Sequence, residues 1–457
     1  LQTWQTPFGM PPFEAIQATH FETAFETALA QHQAEIAAIS QNPDPATFDN
    51  TLLALEASGD LLNQTSNVFF NLSASHSSPD IQRIERDIAP KLAAHGAALY
   101  LNAALFERIE TLASKKHQLQ LDAESIRLLE RYHLDFVRAG ARLKDQDRQT
   151  FAQNAEQLAS CFTRFSQNVL ADESSFCLTL STEEELKGLP EFVRQAAQKL
   201  AHDRGLTQAN AHAFTLSRSS ITPFMTFSER RDLRQKMWQA WCQRGEHEGP
   251  HHNEPVMKEI LKLRLAQAQL LGYKDFSEYA LADTMAGSAQ QARELLTRVW
   301  EPARLKAIEE SEDLKKLSGL NDLQAWDWHF WTERVRKEKF DLNEAEIKPY
   351  LQLHKMMEAM FYVANRLFGV HFKQVHDIAK YHGTVTGWEV TNAQGQHVGL
   401  FLSDNFARST KRSGAWMSTY RDPMHLQTSV RPIVVNNNNF SQGPEGQATL
   451  LSLDDAR

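Results

Sequence analysis

Along the first part of the chain, up to about residue 170, apolar positions recur at steps of three and four, the period of a helix that buries one face. In "PPFEAIQATHFETAFETALAQHQAEIAAI" (residues 11–39) Phe21, Phe25, Leu29 and Ile36 form such a stripe. "DIQRIERDIAPKLAAHGAALYLNAALFERIETL" (80–112) continues it, with Pro90 expected to break or kink the helix because proline lacks the backbone donor. "AESIRLLERYHLDFVRAGARL" and "DRQTFAQNAEQLASCFTRFSQNVLAD" repeat the pattern. No tandem period is present, so a solenoid is not expected. Around 171–225 the texture changes to short alternating stretches with Gly and Pro, "SSFCLTLSTEEELKGLP" and "FTLSRSSITPFM", and a soft boundary is placed there.

Helical periodicity resumes at "NEPVMKEILKLRLAQAQLLGY", with Asn253 as a cap, Pro255 in the first turn and Gly272 as the stop. The pattern then switches to period two. "GTVTGWEVTNAQGQHVGLFLSDN" (383–405) predicts strand, turn, strand, and "GAWMSTY" (414–420) and "RPIVVNNNNF" (431–440) add further strands. The expectation is a mainly α protein, well over half helical, whose only substantial sheet lies between about 383 and 440. In "LLSLDDAR", Ser452 and Asp455 are spaced as an acidic capping box, with Leu451 and Ala456 placed as a weak staple. A helix is started there and the sequence stops at Arg457, so the chain reads as cut.

Composition narrows the function classes. Of 457 residues, 42% are hydrophobic and 23% charged, near globular values. A net charge of −9, with the densest basic run "TERVRKEKF" interleaved by Glu, argues against nucleic-acid or anionic-membrane partners. No apolar run approaches a membrane span and no signal peptide is present. Cys161, Cys177 and Cys242 lie far apart, as buried thiols in a reducing compartment would. A cytoplasmic location is expected, or a periplasmic one if a leader preceded Leu1.

"HEGPH" (247–251) matches His-Glu-x-x-His, in which two imidazoles one helical turn apart reach one zinc and the Glu activates water. Gly249 and Pro250 occupy the variable positions. Proline forfeits a helical donor, collides with the preceding turn and pushes Gly249 out of the α region. The pentapeptide is therefore expected to be a polar loop, not a metal site. Other histidines, including His95, His133 and His382, have no ligand spacing and are read as structural. Trp326, Trp328 and Trp331 in "WDWHFW" are read as core and rim packing rather than a ligand cage.

Several stretches together, among them "RLLERYHLDFVRAGARL", "LGYKDFSEYALADTMAGS", "DWHFWTERVRKEKFDLNEAEIKPYLQL", "HVGLFLSDNFARSTKRSGAWMSTYRDP" and "TLLSLDDAR", resemble the thimet-oligopeptidase-like zinc peptidases, and within them the bacterial peptidyl-dipeptidase branch. The resemblance runs from about residue 7 to the last residue. It departs at "VVNNNNF", read as a local strand change. It implies a helical two-lobed body split by a deep channel that admits short peptides, with residues 1–220 as an N-terminal helical region and 221–457 as the first part of the catalytic domain. It also implies that the family's zinc helix would begin just past Arg457, so that this chain holds neither catalytic residues nor metal ligands and is inactive alone. Zinc would belong to the complete protein, and a separate chain carrying the zinc motif is an expected partner beside the peptide.

The best candidate for contact with substrate is "SGAWMS" (413–418). A peptide can add as a strand to a sheet edge, and Gly414 and Ala415 are small enough for close approach. The plainer reading is an ordinary strand with Trp416 in the core. Lys411 and Arg412 are candidates for gripping a C-terminal carboxylate, against plain surface ion pairing. Two other functions stay open: a non-catalytic relative that keeps a peptide channel, and an endopeptidase of the same family.

Overall fold

The amphipathic stripes become long helices in the computed structural model, which describes residues 4–456 except 209, 342–343, 427 and 444–445. Arg457, on whose packing the expectation of a cut chain could have been judged, lies outside the described residues. The first half is α1 (His20–Ser40), α2 (Asp60–Ser75), α3 (Pro79–Tyr100), α4 (Ala103–Ser114), α5 (Ala123–Arg138) and α6 (Asp145–Ser175). Pro90 does not end its helix: α3 runs through it, held by Ile81, Ile84 and Ile88 in the core. Burial of that face outweighs the loss of one backbone bond.

The changed texture near residue 180 is a two-stranded antiparallel pair, β1 (Leu178–Leu180) with β2 (His212–Phe214), enclosing α7 (Glu191–Asp203). "RSSITPFM" is helical instead of extended, inside α8 (Arg218–Phe227). Pro223 leaves the Ser219 carbonyl without its helical partner, and the Ser441 hydroxyl donates to that carbonyl at 3.2 Å. A contact 222 residues away thus satisfies what the local sequence could not.

Next come α9 (Arg231–Cys242), α10 (Glu254–Leu270), α11 (Ala289–Ser318), α12 (Trp328–Phe340) and α13 (Leu353–Phe368). Trp326, Trp328 and Trp331 are half-buried, and Trp326 meets Trp238 edge-on with ring centres 5.6 Å apart. Asn253 does not cap α10 with its side chain: buried, it accepts from Asn168 at 2.9 Å and donates to the Phe165 carbonyl, pinning α10 to α6. Pro255 and Gly272 stand as expected, the latter at φ +83°.

The late sheet has order β3-β4-β5-β7-β6, with β3 (His371–Val375), β4 (Thr386–Thr391), β5 (His397–Phe406), β6 (Trp416–Arg421) and β7 (Ile433–Phe440). It starts earlier than the sequence suggested because β3, an edge strand with mostly exposed residues, lacks an apolar alternation. β5 and β7 are parallel and the remaining pairs antiparallel. Leu400, Leu402, Tyr420, Ile433 and Val435 join Phe21, Phe25, Phe69 and Ile84 in the largest core, so α1–α3 cover one face of a sheet built more than 300 residues later. On the other face Phe361 of α13 stacks on Phe372 at 4.2 Å. The structure is 60% helical and mainly α.

Ser452 and Asp455 form the expected capping box, each side chain accepting from the other's backbone N–H, at the start of α14 (Leu453–Ala456). Leu451 is buried and donates to the Leu351 carbonyl, so this turn docks beside the start of α13. Among the described residues no helix is long and apolar enough to cross a membrane. The thiols do not all match expectation: Cys161 is buried, Cys177 half-buried and Cys242 exposed.

His32 of α1 and His95 of α3 share a hydrogen bond of 2.9 Å between Nδ1 and Nε2. Burial holds both below the ordinary histidine value; in His95 the neighbouring His32 adds to the shift, whereas Glu35 opposes it in His32. The unfolded chain therefore binds more protons than the folded one below about pH 6.5, and stability present above that value is lost as pH falls. Thermal unfolding between pH 7.5 and 5 should show Tm falling on acidification, with a shallower slope in His95→Leu. Equal slopes in the two proteins would remove this pair as the cause.

Candidate functional site

Among the described residues β6 pairs only with β7 and so forms one edge of the sheet. Successive residues of a strand turn their backbone groups to alternate sides. The Thr419 carbonyl points outward, because Asn71 of α2 donates to it at 2.8 Å. The Ser418 hydroxyl donates to the same Asn71 side chain. Counting back by two within the strand, Met417 also faces outward; it is exposed, as is Ala415 just before the strand. Among the described residues the outer edge is thus capped by α2 at Thr419 and open at Met417. Met417 is a residue the sequence reading did not single out. Its signal was available only as an exposed apolar side chain, 65% accessible, on an edge strand.

The approach to this edge is shaped by three carbonyl contacts. Asn439 donates its amide to the Arg412 carbonyl at 3.0 Å and the Gly414 carbonyl at 2.7 Å. Asn438 donates to Asn405 at 2.9 Å. The asparagine run read as a local strand change therefore ties β7 to the segment before β6 through Asn439 and to β5 through Asn438. Gly414 has φ +99° and open space where a side chain would start, so glycine is needed for conformation, not for close packing. Trp416 is half-buried, with the exposed Arg412 guanidinium 4.5 Å above its ring and Lys411 Nζ at 5.8 Å.

Lys411 is not free to grip a carboxylate. Its ammonium group is fully buried, 3.0 Å from Asp404 Oδ1. It donates to the carbonyls of Asp404 at 2.8 Å and Asn438 at 2.6 Å, with Phe406 at 3.3 Å. Three N–H groups are committed to four acceptors. Burial pushes the ammonium down to about 8 against the pull of Asp404. Burial also works against ionisation of Asp404, but hydrogen bonds from Arg408 and the charges of Lys411 and Arg408 outweigh it and keep the carboxyl below its usual range. Tyr381 donates to Asp404 at 2.7 Å; burial, then that carboxylate, raises the phenol. Arg408 also donates to the Ser75 carbonyl at the end of α2.

This segment borders a cleft of about 330 Å³ between α7, α8 and the ends of β5 and β7. Glu173, Arg204, Ser217, Ser413 and Asn439 are among its walls. Glu173 pairs with Arg244 and accepts from Ser413 at 3.2 Å, so α6 also supports the segment. Of the five expected substrate contacts, the structure gathers Arg412, Gly414, Ala415 and Trp416 at the open edge and turns Lys411 inward.

"HEGPH" is a loop after α9, with Gly249 at φ +131°. His247 meets Asp172 at 3.0 Å, while His251 is 3.5 Å from Asn168, one helical turn away on α6. The two imidazoles serve different partners and share no helical face. His133 pairs with Glu110 at 2.6 Å and His382 meets Thr384 at 2.8 Å. Among the described residues no three His, Cys, Asp or Glu side chains converge as a metal-ligand set. The described residues do not fit a zinc centre.

A mainly α protein with a small mixed sheet and one half-open edge is the class defined by this geometry. Residues 224–457, just over half of the chain, match the family description of peptidase family M3, and the chain belongs to that metallopeptidase family. It is 34% identical over 454 residues to dipeptidyl carboxypeptidase of Salmonella typhimurium, covering 98% of this chain and 66% of the relative. The Escherichia coli dipeptidyl carboxypeptidase gives the same figures. Oligopeptidase A of Salmonella typhimurium is 27% identical over 460 residues, covering 98% of this chain and 67% of that protein. The chain thus spans 66% of the length of the dipeptidyl carboxypeptidases it matches.

Proposed function

We propose that this chain forms the peptide-binding walls of a zinc peptidyl-dipeptidase, which releases C-terminal dipeptides from short peptides. The zinc centre is carried by the third of the relatives' length outside the match, and this chain alone is inactive. The observation that carries the reading is the open β6 edge at Met417, with Ala415 exposed just before it, in a chain 34% identical to dipeptidyl carboxypeptidases. An extended peptide adds there as a further strand, with main-chain hydrogen bonds giving affinity that tolerates many sequences. Exposed Arg412, stacked on Trp416, offers a guanidinium for a peptide carboxylate, the role first expected of Lys411 as well. The peptidyl-dipeptidase mode is preferred to the endopeptidase mode because identity is 34% to dipeptidyl carboxypeptidase and 27% to oligopeptidase A.

Proline separates edge binding from folding. At an outward-facing position it removes a donor that the β6–β7 ladder does not use. Met417→Pro should therefore stay folded and lose peptide binding by at least about tenfold, the scale of one or two lost main-chain hydrogen bonds. Ser418→Pro, at a ladder position, should destabilise the sheet instead. Fluorescence-anisotropy titration with a labelled short peptide reads the first effect, and urea unfolding reads the second. Unchanged affinity in folded Met417→Pro would refute the edge.

A further inference from the structure

We propose that Lys411 is a positioning residue: a tethered cation whose ammonium group fills an oxygen cage and thereby sets the conformation of residues 407–416, the path from the cleft to the open edge. This rests on the edge reading only for its consequence in peptide binding, because the cage stands on its own contacts. The oxygens come from three places in the chain: the backbone and carboxylate of Asp404, the carbonyl of Phe406 and the carbonyl of Asn438. Asp404 and Asn438 belong to the parallel strands β5 and β7, and beyond Asp404 their register shifts. Carbonyls no longer matched across a ladder require another donor, and Lys411 Nζ supplies it.

The cage is linked outward on both sides. Arg408, bound to Asp404, donates to the Ser75 carbonyl, and the Arg412 amide donates to the Ala74 carbonyl at 2.9 Å. The Ser77 amide donates to the Thr410 carbonyl at 2.8 Å. The segment is therefore strapped to the C-terminal end of α2, the helix whose Asn71 covers Thr419 of the edge strand. Buried charge placed between two strand ends and a strap is suited to fixing one conformation, and the residues so fixed include Ser413, Gly414 and Ala415. An apolar side chain of the same length fills the space but leaves the three carbonyls without a donor.

Hydrogen exchange followed by mass spectrometry tests this on the chain itself, without peptide. In Lys411→Ala, amides of residues 407–416 should exchange at least about tenfold faster than in the unsubstituted chain, since a strap held by buried hydrogen bonds opens when they are lost. The Lys411 side chain is enclosed but its residue borders the cleft, and a small amine supplied from there is the probe for the space vacated in Lys411→Ala. Ethylammonium should restore slow exchange, whereas tetramethylammonium, equally charged but without N–H donors, should not. Lys411→Met should behave as Lys411→Ala without amine, and a labelled peptide should bind it at least about tenfold more weakly. Exchange unchanged in Lys411→Ala and Lys411→Met would overturn the cage as the positioning device. So would equal rescue by both amines. Faster exchange rescued only by ethylammonium, with no peptide binding by the unsubstituted chain, would support the cage and refute the edge reading.

Discussion

Asp404→Asn is expected to destabilise the chain by about 3–5 kcal/mol, the usual result of removing one member of a buried ion network. Asp404 is fully buried and answers two cations, Arg408 and Lys411, whose side chains are 13% and 0% exposed. An amide keeps the shape but removes the charge, so both cations remain buried without a counter-ion. It also replaces a carboxylate oxygen by an NH₂ group facing donors. A typical domain has only about 5–15 kcal/mol of stability, and the site lies in the sheet that α1–α3 cover. The urea midpoint should therefore fall steeply, with the first unfolding step involving both the sheet and the end of α2. Loss below about 1 kcal/mol would mean that the cations are solvated or otherwise paired, contrary to the contacts seen.

The second large effect concerns the exposed apolar faces of α11 and α13. α11 buries only Leu314 among its described residues and exposes Leu295, Leu296, Val299, Trp300, Leu305 and Ile308. α13 buries no residue fully and exposes Met360, Tyr362, Val363, Leu367 and Phe368. Met360, Val363 and Leu367 follow steps of three and four, the seam of a helix that expects a helical neighbour. Exposed apolar rows of this length on two helices are suited to being covered by a partner. Full burial of such a side chain from full exposure contributes about 1.5–3 kcal/mol, and these, already partly covered, contribute a fraction of that each. We propose the third of the relatives' length outside the match as the natural cover. Alone, the chain should associate with itself. Mixed with a polypeptide corresponding to that third, it should form a one-to-one complex, and peptide cleavage should rise from background to a readily measured rate. Paired substitutions Leu296→Glu and Val363→Glu should weaken the complex while leaving the chain folded, because both positions are exposed.

Helical architecture was legible because α1 to α6 carry their own period, and the late sheet because β4, β5, β6 and β7 alternate. The breaks in legibility share a physical cause. Pro223 sits in a helix because Ser441 satisfies the orphaned carbonyl, and α3 passes through Pro90 because its isoleucines are buried. Asn71 meets Thr419 across 348 residues, and Arg408 meets Ser75 across 333. No local pattern encodes such partners. The same holds for Lys411: next to Arg412 in an exposed-looking basic pair, it gave no sign of turning inward to Asp404. Chemistry that depends on local geometry alone was readable. Gly249-Pro250 ruled out a helical His-Glu-x-x-His, and the loop at 247–251 follows. Met417 was missed because outward orientation on an edge strand depends on which neighbour the strand chooses.

The most direct test is zinc by elemental analysis together with release of C-terminal dipeptides, on the purified chain alone and on its complex with the complementary third. Predicted results are no stoichiometric zinc and no cleavage by the chain alone, and stoichiometric zinc with chelator-sensitive dipeptide release by the complex. Stoichiometric zinc held by the chain alone and lost on His247→Ala, or cleavage by the chain alone that survives a chelator, would contradict the account.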